Sequence, residues 1–366
     1  VIHPMPKAQV LVVDDRPNML KLLKRILGRR HDVTTCEGGK KALAMVAQQE
    51  FDLVITDVRM PDVGGMDVLR RAKENHPLTQ VVVMTAYAEV PQAVEAMREG
   101  ACDYITKPFE PEVIEIIVEK ALEHRNLLLQ TQMLREEVKE RYSFGAIVGK
   151  SPAMQHAFDL LTRAAGSNST VLIQGESGTG KELFARAVHY ASSRSGERFV
   201  AVNCGAIPHE LMESELFGHA AGAYTGATDA SGGLFRDADK GTIFLDEISA
   251  LHLDLQIKLT RVLQEREVRP VGETRPVKID VRIVAASNQD LRGLVDEGRF
   301  REDLYFRLSV FPITAPPLRD RIDDLPLLVA HFLKLAVERG GREMEGLEPD
   351  AMKALMDYPW PGNVRE

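Results

Sequence analysis

Between residues 9 and 125, short apolar runs alternate with stretches whose apolar residues recur at helical spacing. The runs lie at 10–13, 33–35, 53–56, 81–84 and 104–106, and the stretches at 20–27, 41–49, 66–72 and 92–97 each keep one apolar face. Near-continuous apolar strands separated by amphipathic helices predict a parallel sheet covered on both faces, a doubly wound α/β domain over residues 7–125. From Pro111 the chain runs to about residue 142 with no Gly and no further Pro, which predicts one helix of about 30 residues, roughly 45 Å long. Leu127 and Leu134 are seven apart, as are Thr131 and Val138, so this linker is either a short coiled-coil seam between two chains or a solvated spacer. A second α/β pattern occupies 147–320, with apolar strands at 171–174 and 281–285. Residues 321–366 read as a small helical lid with amphipathic pieces at 325–335 and 350–356.

The 366 residues suit two or three domains with real cores. Hydrophobic residues at 44% and charged residues at 27% exclude a disordered or fibrous chain. A formal net charge of −8 argues against a surface that clings throughout to nucleic acid, while leaving room for a local DNA-binding module. Cys36, Cys102 and Cys204 are far apart and at no metal or redox spacing, so they read as small buried hydrophobes in a reducing cytosol. No apolar run reaches the roughly 20 residues of a membrane span and no signal pattern opens the chain, so a cytoplasmic protein is expected. The start at Val1 and the stop at Glu366, inside an apparently continuing segment, lead us to expect a fragment.

In doubly wound sheets ligands bind beyond the carboxyl ends of the strands. Asp14-Asp15 follows the first apolar run, Asp57 the third, Thr85 the fourth and Lys107-Pro108 the fifth. Any one of these would be an ordinary solvated loop start, but all five at successive strand ends point to a site. Clustered carboxylates repel one another and call for a hard cation such as Mg²⁺. A carboxylate beside that cation and a lysine can attack a phosphoryl group, and Asp57 is the best nucleophile.

This segment resembles the receiver domain of two-component response regulators, a flavodoxin-like fold with strand order 2-1-3-4-5. The resemblance implies Asp57 as phospho-acceptor and Asp14 and Asp15 as the acidic pair, with the Arg59 carbonyl completing the metal site. It further implies that Thr85 and Lys107 contact the phosphoryl group, that Tyr104 is a switch aromatic and that the Lys107–Pro108 bond is cis. From the residues alone, Tyr104 is equally well a half-buried strand tyrosine.

In the second α/β segment, the strand at 171–174 runs into Gly175-Glu176-Ser177-Gly178-Thr179-Gly180-Lys181-Glu182 and then a helical pattern. This is the context of a phosphate-binding loop, whose glycines let backbone N–H groups wrap phosphates while Lys181 reaches the terminal ones. Glu182 stands where Ser or Thr usually holds Mg²⁺, so that metal must lean on water, Glu182 or Asp246. About 60 residues on, an apolar strand ends in Asp246-Glu247, with Asp246 suited to Mg²⁺ and Glu247 to polarising the attacking water. Asn288 follows the strand at 281–285, and Arg301 and Arg307 stand six apart in a charged helical stretch, by themselves ordinary surface residues. Between the nucleotide elements, Gly222-Ala223-Tyr224-Thr225-Gly226-Ala227 forms a glycine-bracketed loop whose apolar tip should touch a partner.

Residues 147–366 resemble the central AAA+ domain of sigma-54-dependent transcriptional activators, the NtrC-like enhancer-binding proteins: a P-loop α/β domain with a small all-helical lid. The family's loop is usually Gly-Ala-Phe-Thr-Gly-Ala and contacts sigma-54. Here Tyr224 takes the Phe position and Ala220-Ala221 replaces a usual charged pair, and with the ring kept the contact is expected to survive. The resemblance implies ATP with Mg²⁺ as ligand and a role for Asn203 in gating Glu247. It also implies Asn288 as first sensor, Arg301 and Arg307 as fingers acting in trans, and Arg365 as second sensor. The implied partners are a sensor histidine kinase, the sigma-54 RNA polymerase holoenzyme and further copies of the chain, as an inactive dimer and an active hexameric ring. Enhancer DNA would be bound through a Fis-type C-terminal domain that lies outside these residues. A receiver-controlled remodeller of another protein client is the alternative, and a scaffold without ATPase activity fits poorly with intact Lys181, Asp246 and Glu247.

Overall fold

In the computed structural model, residues 7–86, 90–223, 229–340 and 346–366 are described, without the side chains of 90–93. The chain divides into two units, Val1–Glu136 and Glu137–Glu366. In the first, β1 (Gln9–Asp14), β2 (Asp32–Glu37), β3 (Leu53–Asp57), β4 (Gln80–Thr85) and β5 (Asp103–Thr106) form a wholly parallel sheet of order β2-β1-β3-β4-β5. Because successive strand side chains point to opposite faces, β1 splits its residues between two cores. Leu11 and Val13 pack with Val46, Val68 and Leu69 on one face, and Val10 and Val12 with Leu23, Ile114 and Val118 on the other. The central strands β1, β3 and β4 are therefore buried on both faces, which is why they read as unbroken apolar runs.

The helix beginning at Pro111 extends unbroken to Arg141. Its first turns bury Ile114, Val118 and Ala121, whereas Leu127 and Leu134 in the distal half are 56% and 61% exposed.

The second unit carries β6 (Val171–Gln174), β7 (Phe199–Asn203), β8 (Thr242–Asp246), β11 (Arg282–Ser287) and β12 (Phe311–Thr314) as a parallel sheet of order β12-β6-β11-β8-β7, with β9 (Glu267–Val268) and β10 (Val277–Lys278) as a separate antiparallel pair. The same alternation sends Val171, Ile173 and Phe244 to one core and Leu172, Ile243 and Leu245 to the other. Strand β12 is absent from the sequence-based reading because Pro312 interrupts its pattern. It sits at the sheet edge, where a residue without an N–H is tolerated. The lid helices Leu325–Glu338 and Pro349–Asp357 close around a small cluster of Leu318, Leu325 and Leu328, against which Val148, Trp360 and Val364 pack. Cys36 and Cys204 are buried as expected, but Cys102 is only partly so: it follows a turn at the start of β5, and its thiol donates to the Val81 carbonyl. Among the described residues no helix is long and apolar enough to cross a membrane.

Candidate functional site

The carboxyl edge of the first sheet gathers the residues expected there. Asp14 ends β1 fully buried, Asp57 ends β3 at 8% exposure, and Thr85 ends β4, also buried. Lys107 follows β5, and its Nζ donates to Asp14 Oδ2 at 2.6 Å and to Asp57 Oδ2 at 2.7 Å, so one cation bridges two carboxylates from non-adjacent stretches of chain. Asp14, Asp15 and Asp57 each offer a carboxylate oxygen, all within 4.8 Å of one another, a hard-oxygen donor set of the kind Mg²⁺ prefers. The Arg59 amide lies 3.4 Å from Asp57 Oδ1, which brings the Arg59 backbone beside the same carboxylate. Gly65 is required here because a Cβ at that position would run into the Asp57 carbonyl. Tyr104 lies on β5 with 42% of its surface exposed, and Lys107–Pro108 is cis.

The second site forms where β6 runs through 175–180 into the helix Lys181–Tyr190. Gly178 and Gly180 both adopt positive φ, and a Cβ on Gly178 would collide with the Gly362 carbonyl. Lys181 Nζ donates to the carbonyls of Gly175 and Glu176 at 2.8 and 2.9 Å, holding the loop in a tight curl. Burial lowers the Lys181 pKa, with Asp246 opposing the shift, and burial raises that of Asp246. Each charge thus partly answers the desolvation of the other. Glu247, next to Asp246, is in the left-handed region at φ 52°, and its amide donates to Asp246 Oδ1 at 2.9 Å. Asn203 ends β7 in register with Asp246, and its side-chain oxygen accepts from the Gly205 amide at 2.8 Å.

A cavity of about 440 Å³ opens beside this loop. Its lining combines the loop residues from Gly178, Asp246 and Arg365 with the apolar Ile147, Val148, Leu328 and Phe332. An apolar base and a charged polyphosphate match such a mixed lining. Glu182 faces this cavity, but Arg186 holds its carboxylate at 2.7 Å. Asn288, just past β11, is exposed and does not line the cavity, and neither do Arg301 and Arg307. Arg301 instead clasps Asp303 through two bonds of 3.0 and 2.9 Å.

The lid closes on the phosphate loop through residues that sequence reasoning missed. Arg319 makes a two-point contact with Glu176, and Asn363 donates to Glu176 Oε2 at 3.2 Å and to the Ser177 carbonyl at 2.9 Å. The Arg319 hydrogen bonds, helped by Asn363, hold the Glu176 carboxyl down at about 2. Buried Arg321 donates to the Thr179 carbonyl at 3.3 Å, and buried Asp324 accepts from the Ser151 amide and hydroxyl at 2.8 and 2.6 Å. Arg365, the lid residue already expected at the site, donates to Ser177 Oγ at 3.0 Å.

Three family models match the chain: a response regulator receiver domain over residues 10–119, a sigma-54 interaction domain over 147–314 and an AAA+ ATPase lid domain over 319–366. The regulatory protein AtoC of Escherichia coli is 44% identical over 98% of this chain and 78% of its own length. The chain belongs to the NtrC-type family of sigma-54-dependent response regulators. The DNA-binding transcriptional regulator NtrC of Salmonella typhimurium is likewise 44% identical, over 99% of this chain and 76% of its own. A crystal structure of NtrX from Brucella abortus in complex with ATP has a TM-score of 0.66 at 37% identity, covering 98% of this chain and 78% of that one.

This NtrC-type regulator therefore combines a receiver with the sigma-54 interaction domain of an AAA+ ATPase family. Its Gly222 has positive φ, and the loop base is anchored where the Ala220 amide donates to the Val271 carbonyl at 2.9 Å. Tyr224, Thr225, Gly226 and Ala227 lie outside the described residues.

Proposed function

We propose that phosphorylation of Asp57 controls an ATP-hydrolysing ring of this chain that remodels sigma-54 RNA polymerase to open promoters. The observation that carries this reading is the coexistence, in one NtrC-type chain, of the Asp14–Asp57–Lys107 pocket and the cavity beside Lys181 and Asp246.

In the receiver, an Asp57 carboxylate oxygen attacks the phosphoryl group of a phosphohistidine on the sensor kinase, the P–N bond breaks with the imidazole as leaving group, and Lys107 and Thr85 take up the charge on the transferred oxygens. Asp14, Asp15, Asp57 and the Arg59 carbonyl would hold Mg²⁺, which when bound neutralises charge on those oxygens. Tyr104 reports the change to the rest of the domain. In the motor, Lys181 exchanges its loop carbonyls for the terminal phosphates of ATP, while the 175–180 amides wrap the rest. Asp246 would hold the second Mg²⁺, since Glu182 is engaged by Arg186. Glu247 orients the attacking water, with Asn203 as its gate and Asn288 as the sensor of the γ-phosphate.

Arg301 and Arg307 do not line their own chain's cavity, which supports their being delivered to a neighbour's nucleotide in a hexameric ring, while Arg365 acts in cis from the lid. Exposed Leu127 and Leu134 support an inactive dimer joined through the linker helix. The whole cycle belongs in the cytoplasm, where polymerase and ATP are found. Deleting Tyr224 and Thr225 tests the reading: ATP hydrolysis should persist while open-complex formation with sigma-54 polymerase is lost. Unchanged promoter opening would overturn it and favour another protein client.

A further inference from the structure

The helices His209–Phe217 and Leu253–Glu265 begin close together in the second unit, and their first residues form a cluster that the nucleotide chemistry does not use. The imidazoles of His209 and His252 have ring centroids 3.9 Å apart with planes inclined at 36°. With Asp254, each offers one ligand atom, and the three atoms lie within 4.8 Å of one another. All three side chains are exposed, and none has a hydrogen-bond or ion-pair partner among the described residues. Beside them is a recess of about 130 Å³, lined by both histidines together with Cys204, Gly205 and Leu255.

Two neutral imidazoles and one carboxylate form a borderline donor set that suits Zn²⁺ and its neighbours in the first transition row rather than Mg²⁺. Tetrahedral Zn²⁺ with ligands at about 2.0–2.1 Å needs ligand atoms roughly 3.3 Å apart. All three side chains are exposed, so burial does not stop them from reorienting towards that separation. Three protein ligands leave the fourth position to water, which the recess can admit. The two helix starts carry partial positive charge that opposes a cation, and Asp254 with Glu210 in the first turn of the other helix offsets it.

We infer that His209, His252 and Asp254 form an open binding site for a Zn²⁺-class divalent ion. The ion would tie the start of the helix leading to Gly218 and the 222–227 loop to the segment that follows Glu247, five residues before His252. This inference does not depend on the function proposed above.

The test is a Co²⁺ titration of the tag-free chain, followed by visible absorption, with saturating Mg²⁺ present to fill the carboxylate pocket. The chain should develop the d–d bands of one bound Co²⁺, bleached by Zn²⁺. H209A and H252A should each lower the affinity at least tenfold, and D254N should lower it less. Zn²⁺ should also raise the melting temperature of the unaltered chain but not that of H252A, while unchanged metal-free melting and ATP binding show that the variants fold. Equal Co²⁺ stoichiometry and affinity in the unaltered chain and H252A would overturn the inference.

Discussion

Asn363 donates to the Ser177 carbonyl at 2.9 Å across 186 residues of sequence, so the lid is bonded directly to the 175–180 loop. Asn363 is 1% exposed, and its side-chain oxygen also accepts from the Leu318 amide at 2.8 Å. Removing the amide leaves the buried Leu318 amide and the part-buried Ser177 carbonyl without these partners. Asn363→Ala should therefore lower the unfolding free energy of the nucleotide unit by ~1–3 kcal/mol in urea. Arg319→Ala, whose ion pair with Glu176 is about half exposed on both sides, should cost less than Asn363→Ala. Equal losses in the two variants would mean that the buried amide does not dominate the clamp.

A second expectation concerns the receiver. Asp14 is fully buried and shares Lys107 with Asp57. Asp14→Asn removes one charge from the donor set and should weaken Mg²⁺ binding at least tenfold, read from amide chemical shifts during a Mg²⁺ titration. Lys107→Ala should instead tighten Mg²⁺ binding, because it removes a competing cation from the same carboxylates. An unaltered Mg²⁺ affinity in both would place the metal elsewhere.

The carboxyl-edge sites were legible in sequence because strand ends announce themselves: an apolar run stops at a charged residue, and the sheet brings such stops to one edge. The lid clamp was not. Arg319, Arg321, Asp324 and Asn363 act through partners 142 to 187 residues away, and local periodicity carries no information at that distance. The phrase Gly362-Asn363-Val364-Arg365 drew attention to Arg365 alone, although the positive φ of Asn363 marks the sharper turn. Strand β12 was hidden by Pro312 for a similar reason, since only its place at the sheet edge makes that residue acceptable.

The buried His189 gives a pH dependence with a definite sign. Burial pushes its imidazole down from 6.5 to about 4, and Nδ1 lies 2.9 Å from Thr242 Oγ1. The unfolded chain takes up a proton at higher pH than the folded one, so this contribution to stability is complete above about pH 6.5 and is lost as pH falls toward 4. Between pH 7 and 5 the loss should be about 2 kcal/mol. Urea unfolding should show that loss in the unaltered chain and a correspondingly flatter dependence in His189→Gln. Parallel curves would show that His189 is not the group responsible.

The central claim is that the receiver pocket governs the motor, and Asp57→Asn tests it most directly. ATP hydrolysis and assembly state are measured together, with and without a small-molecule phosphodonor, in the presence of Mg²⁺. The account predicts that the donor changes both hydrolysis rate and assembly in the unaltered chain and neither in Asp57→Asn. An equal response in the two proteins, or none in the unaltered chain once its phosphorylation is verified, would contradict it.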